Sequence, residues 1–179
     1  MSRLDKDNSE KRATEEPCRL MSDLRHRDSS FSVLGRKVSH PTRVCWRCQR
    51  CSECCRDTPY HLRRIGLLPM EAVEISKKTS IPVEQFSCET QDQTYCYEMR
   101  KPNGACYFLN GNQCRLYDHR PLVCRFYPFE MKNEEGSLKI LFAGEGCVGR
   151  SRGQRLGERF FRRLATEAIE KLNQQPRQS

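Results

Sequence analysis

The sequence is poor in apolar residues and contains no long apolar run. Hydrophobic residues make up 36% of its 179 positions, against about 45–50% in a typical globular domain. No segment approaches the roughly 18 apolar residues of a membrane-spanning helix, and the first 17 residues lack the apolar stretch of a secretory signal. We therefore expect a cytoplasmic protein whose small core needs stabilisation from something other than apolar burial.

The sequence also lacks the side-chain sets that many enzymes use. It has only 4 histidines, and neither a pair of carboxylates nor a Ser–His–Asp order stands out. GEGCVG at 144–149 matches a nucleotide-binding glycine motif literally, but no second strand is predicted after the helix that follows. We interpret this segment as a tight turn that presents Cys147, and the residues assign no catalytic role.

Cysteine is the residue that the sequence has in excess, with 12 copies. Five of them lie in CWRCQRCSECC at 45–55, where a C-x2-C loop can turn both sulfurs toward one metal. Thiolates bind zinc and iron–sulfur clusters strongly. Eight cysteines form the candidate metal ligands: Cys48, Cys51, Cys54, Cys55, Cys106, Cys114, Cys124 and Cys147.

Three kinds of cysteine chemistry are open at this point. Disulfides are disfavoured in a reducing compartment, and a structural zinc site would hold a small domain together without any enzyme chemistry. Two successive C-x2-C steps place three sulfurs on one turn, as in iron–sulfur proteins, which makes a cluster our first interpretation. Cys45, Cys88 and Cys96 are interpreted as ordinary thiols, although a ligand role for them stays open.

The predicted fold is a small, loop-rich α+β domain that forms around the metal. Residues 1–40 are expected to be a disordered polar tail, 41–153 the cysteine-cluster domain, and 174–179 a short tail. Helices are predicted at 69–78 and from Pro82, and a strand at 137–143. An amphipathic C-terminal helix is predicted at 154–173, packed through the stripe Leu156, Phe160, Phe161, Leu164, Ala168 and Leu172.

The net charge of +9 is concentrated in the two arms of the chain. Residues 148–179 carry eight basic and three acidic side chains, whereas residues 45–147 are nearly neutral. A nucleic-acid-binding protein usually has its basic face on the folded domain. We therefore expect neither a nucleic-acid nor a membrane partner, while a protein partner stays open and the oligomeric state is unassigned.

Three segments together resemble the YkgJ-type cysteine-cluster family, a zinc- or iron-chelating domain related to that in flagellin lysine N-methylases. They are WRCQRCSECC, GACYFLNGNQCRLYDHRPLVCRFYPF and GCVGRSRG, and the resemblance covers about residues 46–153. Ser52 stands where the family pattern has glycine. The resemblance implies metal binding at the eight cysteines above, and the further matching positions are Tyr117, Arg120, Pro121, Arg125, Tyr127, Pro128 and Phe129.

Four of the matching residues are predicted to surround the bound group. Arg120 and Arg125 would compensate the charge of a thiolate cluster, or else form an ion pair or contact a carbonyl. Tyr117 and Tyr127 would pack around the metal and exclude water.

The cysteine pattern and the resemblance together support three hypotheses about function. The first is an iron–sulfur protein with one or two [4Fe–4S] clusters and an electron-transfer or accessory redox role. The alternative is a zinc-chelating structural or interaction module. A second alternative, which rests on the resemblance, is an enzyme related to protein methylases or its accessory subunit.

Overall fold

The computed structural model describes residues 28–59, 62–144 and 146–174. Within these segments the protein mixes helices with several small sheets, which confirms the α+β class. The α-helices are Pro69–Thr79 (α1), Val83–Phe86 (α2), Leu122–Phe126 (α3) and Glu158–Asn173 (α4). The 3-10 helices are Glu53–Cys55 (η1), Pro102–Gly104 (η2) and Tyr117–His119 (η3). None of the described helices is both long and apolar enough to span a membrane.

The strands are short and form four separate sheets in the described part of the chain. The largest has the order β1-β2-β10-β9, in which only the β2–β10 pair is parallel. The others pair β11 with β3, β4 with β6 and β6 with β5, and β7 with β8. The strands are Asp28–Val33 (β1), Arg36–Pro41 (β2), Cys45–Trp46 (β3), Gly66–Leu67 (β4), Ser87–Glu89 (β5), Tyr97–Met99 (β6), Leu109–Asn110 (β7), Gln113–Cys114 (β8), Phe129–Glu134 (β9), Ser137–Phe142 (β10) and Arg150–Arg155 (β11).

The predicted tail is wrong for its last part, because residues 28–40 form the hairpin of β1 and β2. Val33 pairs with Arg36 across the two-residue turn Leu34–Gly35. Both turn residues have a positive φ, of 49° and 74°, as a hairpin turn of this length requires. Phe31 is buried on β1, so the few apolar residues of this stretch are enough to attach it to the sheet. Residues 1–27 of the predicted tail lie outside the described residues.

The first of two apolar cores lies between α4 and the four-stranded sheet. The predicted stripe of α4 is confirmed, since Phe161, Leu164 and Ala168 are buried and the other three members pack against them. The helix begins at Glu158 rather than at residue 154, because the preceding residues pair with β3 as strand β11. This core therefore fixes the C-terminal part of the chain beside the first cysteine segment.

The second apolar core supports the cysteine loops. It joins α1, α2, η3 and the small sheets through a set of buried side chains, and Cys106 is part of it. Cys55, Cys114 and Cys124 pack against its edge. The cysteines are thus held by a packed core rather than by a free loop. Its other buried members are Ile65, Leu67, Ala72, Ile75, Phe86, Met99, Phe108 and Leu116.

A buried carboxylate, Glu71, links three helices between the two cores. It is 2% exposed, and its Oε2 accepts the backbone N–H of Leu68 at 3.2 Å. Its Oε1 accepts the N–H of Leu122 at 2.7 Å and pairs with Lys171 Nζ at 3.3 Å. Since Leu122 begins α3, this side chain sets the position of the helix that carries Cys124.

We expect Glu71→Ala to lower the free energy of unfolding by about 3 kcal/mol. The change leaves two buried N–H groups without their acceptor and removes the nearer of the two carboxylates beside Lys171, which is costly. Glu74→Ala is the matched control, because Glu74 is exposed and lies 3.9 Å from the same Lys171. It should change stability by less than about 1 kcal/mol. Urea unfolding measures both, and equal losses would contradict the linking role of Glu71.

Candidate metal centre

Each of the eight predicted ligand cysteines is a free thiol in the described part of the protein. Cys106 is buried, and the other seven are half-buried. The remaining described cysteines differ from this set. Cys88 is exposed on β5 and Cys96 lies before β6, and both are free thiols as expected. Cys45 is buried in β3 and is disulfide-bonded, so its interpretation as an ordinary thiol is wrong.

Cys54 interacts with four other thiols, and we call these five cysteines together the inner thiol group. The Cys54 thiol donates a hydrogen bond to the Cys55 sulfur. Cys54 also interacts electrostatically with three thiols that come from later parts of the chain. The group is Cys54, Cys55, Cys106, Cys114 and Cys124. The side chains of the two adjacent cysteines of η1 therefore interact directly.

Main-chain contacts join the first two segments of the inner thiol group, and the Arg63 side chain links the first segment to α3. The Cys106 N–H donates to the Cys55 carbonyl at 2.8 Å, and Arg56 forms an isolated bridge with Ala105. Cys114 ends the short hairpin β7–β8, and Cys124 lies in the middle of α3. The sulfurs are positioned by elements that are up to about seventy residues apart in the sequence.

Backbone N–H groups point at several of the sulfurs. In three cases the donor lies two residues after the cysteine, so each local turn folds back on its own thiol. A sulfur that accepts such a bond is stabilised as a thiolate, and hydrogen bonds to sulfur tune bound clusters. The pairs are Arg50 with Cys48 at 3.4 Å, Phe108 with Cys106, and Leu116 with Cys114.

In the loop before η1, Ser52 occupies the position where the family pattern has glycine. Ser52 has φ 63° and ψ 3°, a left-handed conformation that favours glycine. Its Oγ lies 2.6 Å from the carbonyl oxygen of Cys51 and 3.1 Å from Asn112 Oδ1. These contacts fix the buried serine in the conformation that a glycine would adopt freely.

Cys147 lies at the edge of the inner thiol group, next to two aromatic side chains. Trp46 Nε1 donates to its sulfur at 3.4 Å, and the Tyr127 hydroxyl donates to it as well. Tyr127 also interacts electrostatically with Cys54, so this side chain is near both Cys147 and the inner thiol group. Burial raises the pKa of Tyr127 to about 12. The predicted packing role of Tyr127 therefore includes a hydrogen bond to a predicted ligand.

Arg63 is the cation at the inner thiol group, and the sequence did not indicate it. Its Nε donates to the Cys54 carbonyl at 3.3 Å and its NH2 group to the Val123 carbonyl at 3.4 Å. The guanidinium carbon lies 4.9 Å from the centre of the Tyr127 ring. The charge of Arg63 opposes the rise in the pKa of Cys54 and Cys124. Arg63 is outside every motif, so only the folded chain reveals it.

The two predicted arginines have different surroundings. Arg120 Nε donates to the Tyr117 carbonyl at 2.8 Å, and its guanidinium lies 4.0 Å from the Tyr117 ring centre. Burial raises the pKa of Cys114, and the charge of Arg120 opposes this rise. Arg125 instead forms an ion pair with Glu167 of α4. Arg120 thus combines a carbonyl contact with proximity to a predicted ligand, while Arg125 ties α3 to the C-terminal helix.

The pKa values of four thiols of the inner group, Cys54, Cys106, Cys114 and Cys124, are raised, so these four are held in their neutral form. Burial raises the pKa of Cys106 to about 11 and that of Cys124 to about 12. The hydrogen bond to Cys55, followed by burial, raises the pKa of Cys54. Thiolates at these positions need a partner with positive charge, and a metal ion supplies one. The soft sulfur donors therefore fit the chemistry of zinc or iron.

The thiols are farther apart than the ligands of a single metal ion would be. Among the described residues, no three His, Cys, Asp or Glu side chains already stand close enough to hold one metal ion. A bound metal would draw the sulfurs together, or a larger cluster would bridge them.

Metal uptake should depend steeply on pH. Cys106 and Cys124 are protonated at neutral pH, since their pKa values are raised to about 11 and 12, so ligation must release their protons. We expect the affinity to rise by up to about tenfold per pH unit for each proton released. Competition with a chelator between pH 6 and pH 8 measures this slope, and a pH-independent affinity would contradict ligation by these two thiols.

A set of cysteines from three segments, with backbone donors and a guanidinium around it, defines a metal-chelating domain. The sequence model of the family described as "CxxCxxCC: Putative zinc- or iron-chelating domain" matches residues 47–142. This stretch is more than half of the chain, and the protein belongs to this family. The expectation of a zinc- or iron-chelating domain is confirmed.

Two curated relatives are known only as uncharacterized proteins of the archaeon Methanocaldococcus jannaschii. MJ0939 is 21% identical over 136 residues, which cover 73% of this chain and 44% of the relative. MJ0661 is 26% identical over 106 residues, which cover 55% of this chain and 53% of the relative. The chain thus spans about half the length of the curated relatives it matches. No solved structure matches.

Proposed function

We propose that the protein binds an iron–sulfur cluster at the inner thiol group and serves in electron transfer or as an accessory redox protein. The observation that carries the proposal is the charge environment of these thiols. The guanidiniums of Arg63 and Arg120 act on Cys54, Cys124 and Cys114, and nearby cations of this kind stabilise an anionic thiolate cluster. Three further predicted ligands, Cys48, Cys51 and Cys147, would serve a second group.

Four thiolates suffice for a [4Fe–4S] cluster. Cys106, Cys114 and Cys124 would supply three of them, and one of the adjacent pair in η1 would supply the fourth. A cluster bound there would supply one-electron redox chemistry. Whichever of Cys54 and Cys55 is not a ligand would stay beside the one that is, because the two side chains already interact.

The side chains around the inner thiol group suit an anionic centre. The guanidiniums of Arg63 and Arg120 act on three of its sulfurs, and a cation near a cluster favours its reduced, more negative form. Backbone N–H groups oriented at sulfur have the same effect. Tyr127 and the edge of the second core limit the access of water, which would otherwise weaken these electrostatic interactions.

A zinc-chelating module is the second candidate. The family description includes zinc as well as iron, and a closed four-thiolate zinc site needs no catalytic side chains. In that case the metal would stabilise the fold, and the exposed surface would carry the function.

Reversible reduction of the purified protein tests the proposal. Protein purified without oxygen should absorb broadly near 400 nm, and dithionite should bleach this band and produce a paramagnetic signal that reoxidation removes. A structural zinc protein shows neither response, because zinc has no redox chemistry. Protein that holds iron but whose spectrum dithionite does not change would contradict the electron-transfer role.

A further inference from the structure

Five arginines from two distant parts of the sequence lie together around the β3–β11 ladder. Trp46 pairs with Arg150 in this ladder, and the Arg47 N–H donates to the Gly149 carbonyl at 3.1 Å. Arg47 also shares a surface hollow with Arg50. We call this set the arginine surface, and its members are Arg47, Arg50, Arg150, Arg152 and Arg155, all exposed.

A bulge in β11 exposes the three arginines of this strand to solvent. Arg150 pairs with Trp46 and Arg155 with the adjacent Cys45, so the four residues between them bulge out of the ladder. Ser151 has φ 60°, an uncommon conformation for a non-glycine residue. Gly153 has φ 74°, and a Cβ there would lie only 2.7 Å from the Arg47 Cβ. A strained bulge that re-aims side chains is a common feature of functional edges.

The charge of the arginine surface is not neutralised within the described residues. None of its five members forms an ion pair with a described acidic side chain, whereas Arg64, Arg125 and Arg162 do. Guanidiniums repel one another, so gathering them without acidic partners lowers stability. Such a cluster is suited to an external polyanion, which Arg recognises through its planar fork of donors.

We propose that the arginine surface binds the phosphate backbone of a single-stranded nucleic acid. Arg150 and Arg155 pair with the adjacent residues Trp46 and Cys45, so the arginines of the bulge are held within a short stretch of surface that can contact consecutive phosphates of one flexible strand. The four-residue bulge is too short to fill a major groove as a helix or ribbon does. An acidic protein would need a central apolar anchor, and RSRGQR at 150–155 offers none.

This proposal departs from the expectation, based on the charge distribution along the sequence, that nucleic acid is not a partner. That expectation takes the basic C-terminal segment as an arm separate from the neutral domain. The structure places β11 on the domain beside Arg47. The basic face is therefore part of the folded domain, where a nucleic-acid-binding protein has it. The proposal does not depend on which metal the inner thiol group holds.

Fluorescence anisotropy of labelled 20-nucleotide RNA and DNA single strands, with the full metal-bound protein, tests it. Each phosphate contact contributes a slope of about −0.7 to log K against log salt. Five contacts predict a slope of about −3.5, and therefore an affinity loss of about 100-fold between 50 and 200 mM salt. Binding of either single strand supports the proposal. A preference for RNA or for DNA shows which of the two is the natural ligand.

Arg152→Gln/Arg155→Gln should weaken binding more than tenfold and reduce the magnitude of the slope by about 1.4. The matched control is Arg159→Gln/Arg163→Gln on α4, which removes the same charge from exposed arginines and should change affinity less than twofold. Unchanged metal content and circular dichroism establish that both variants fold. Equal losses in the two variants, tighter binding of a duplex, displacement by poly-glutamate at the same charge concentration, or no binding at 50 mM salt would each overturn the proposal.

Discussion

Replacing Cys124 by serine should remove the metal from the inner thiol group and destabilise the protein by about 4 kcal/mol or more. A serine hydroxyl is a poor ligand for a soft metal. The sulfur of Cys124 interacts with Cys54, Cys106 and Cys114, so its loss affects the whole group. Loss of a metal is one of the few changes that destabilises a protein this strongly. At 179 residues, the effect corresponds to a drop of about 10 °C in Tm.

Cys88→Ser is the control for this experiment. Cys88 is exposed on β5, and its thiol donates to the Glu98 carbonyl at 3.6 Å, away from the predicted ligands. The variant should keep the metal content and Tm of the unchanged protein. Elemental analysis and thermal unfolding follow both variants. A Cys124→Ser protein that retains its full metal content would show that α3 supplies no ligand.

Arg63→Gln should lower the metal affinity of the inner thiol group by about 10- to 100-fold. Groups that orient or compensate the ligands of a metal commonly have effects of this size. The substitution removes the positive charge that acts on Cys54 and Cys124. It also removes the guanidinium that donates to two main-chain carbonyls and lies over the Tyr127 ring. If a cluster is bound, its reduction potential should fall, since the reduced form loses a stabilising cation.

The next residue in the chain provides the control for Arg63. The Arg64 side chain is 77% exposed and pairs with Glu98 at 2.9 Å, away from the thiols. Arg64→Gln should therefore leave metal affinity and potential unchanged. Arg63→Lys separates charge from shape, because lysine keeps the charge but not the planar fork. We expect partial recovery of the potential in this variant. Chelator competition and a redox titration measure both effects, and identical behaviour of Arg63→Gln and Arg64→Gln would exclude a role of Arg63 at the metal.

Local patterns in the sequence predicted the elements that local chemistry determines. Pro69 at the first position of α1 and the apolar stripe of α4 place two helices within a few residues of their observed bounds. SLKILF forms β10 as the alternation of its side chains indicates. The spacing of the cysteines indicated a metal-chelating domain, because the C-x2-C step is itself a local turn.

Features that depend on distant contacts were missed. Phe31 and Val38 looked too sparse to form strands, but they meet α4 and β10 in the first core. Arg63 carries no motif and reaches the thiols only because its guanidinium contacts the carbonyls of Cys54 and Val123. The arginine surface likewise combines segments about a hundred residues apart. No pattern within a short window of sequence contains this information.

Iron, inorganic sulfide and zinc measured on protein purified without oxygen test the central claim most directly. The account predicts brown protein with about four iron atoms and four sulfides per occupied [4Fe–4S] site, and a loss of both elements in Cys124→Ser. Colourless protein with one or two zinc ions and no sulfide would contradict it. The inner thiol group would then be a structural zinc site, and the arginine surface would be the place to look for function.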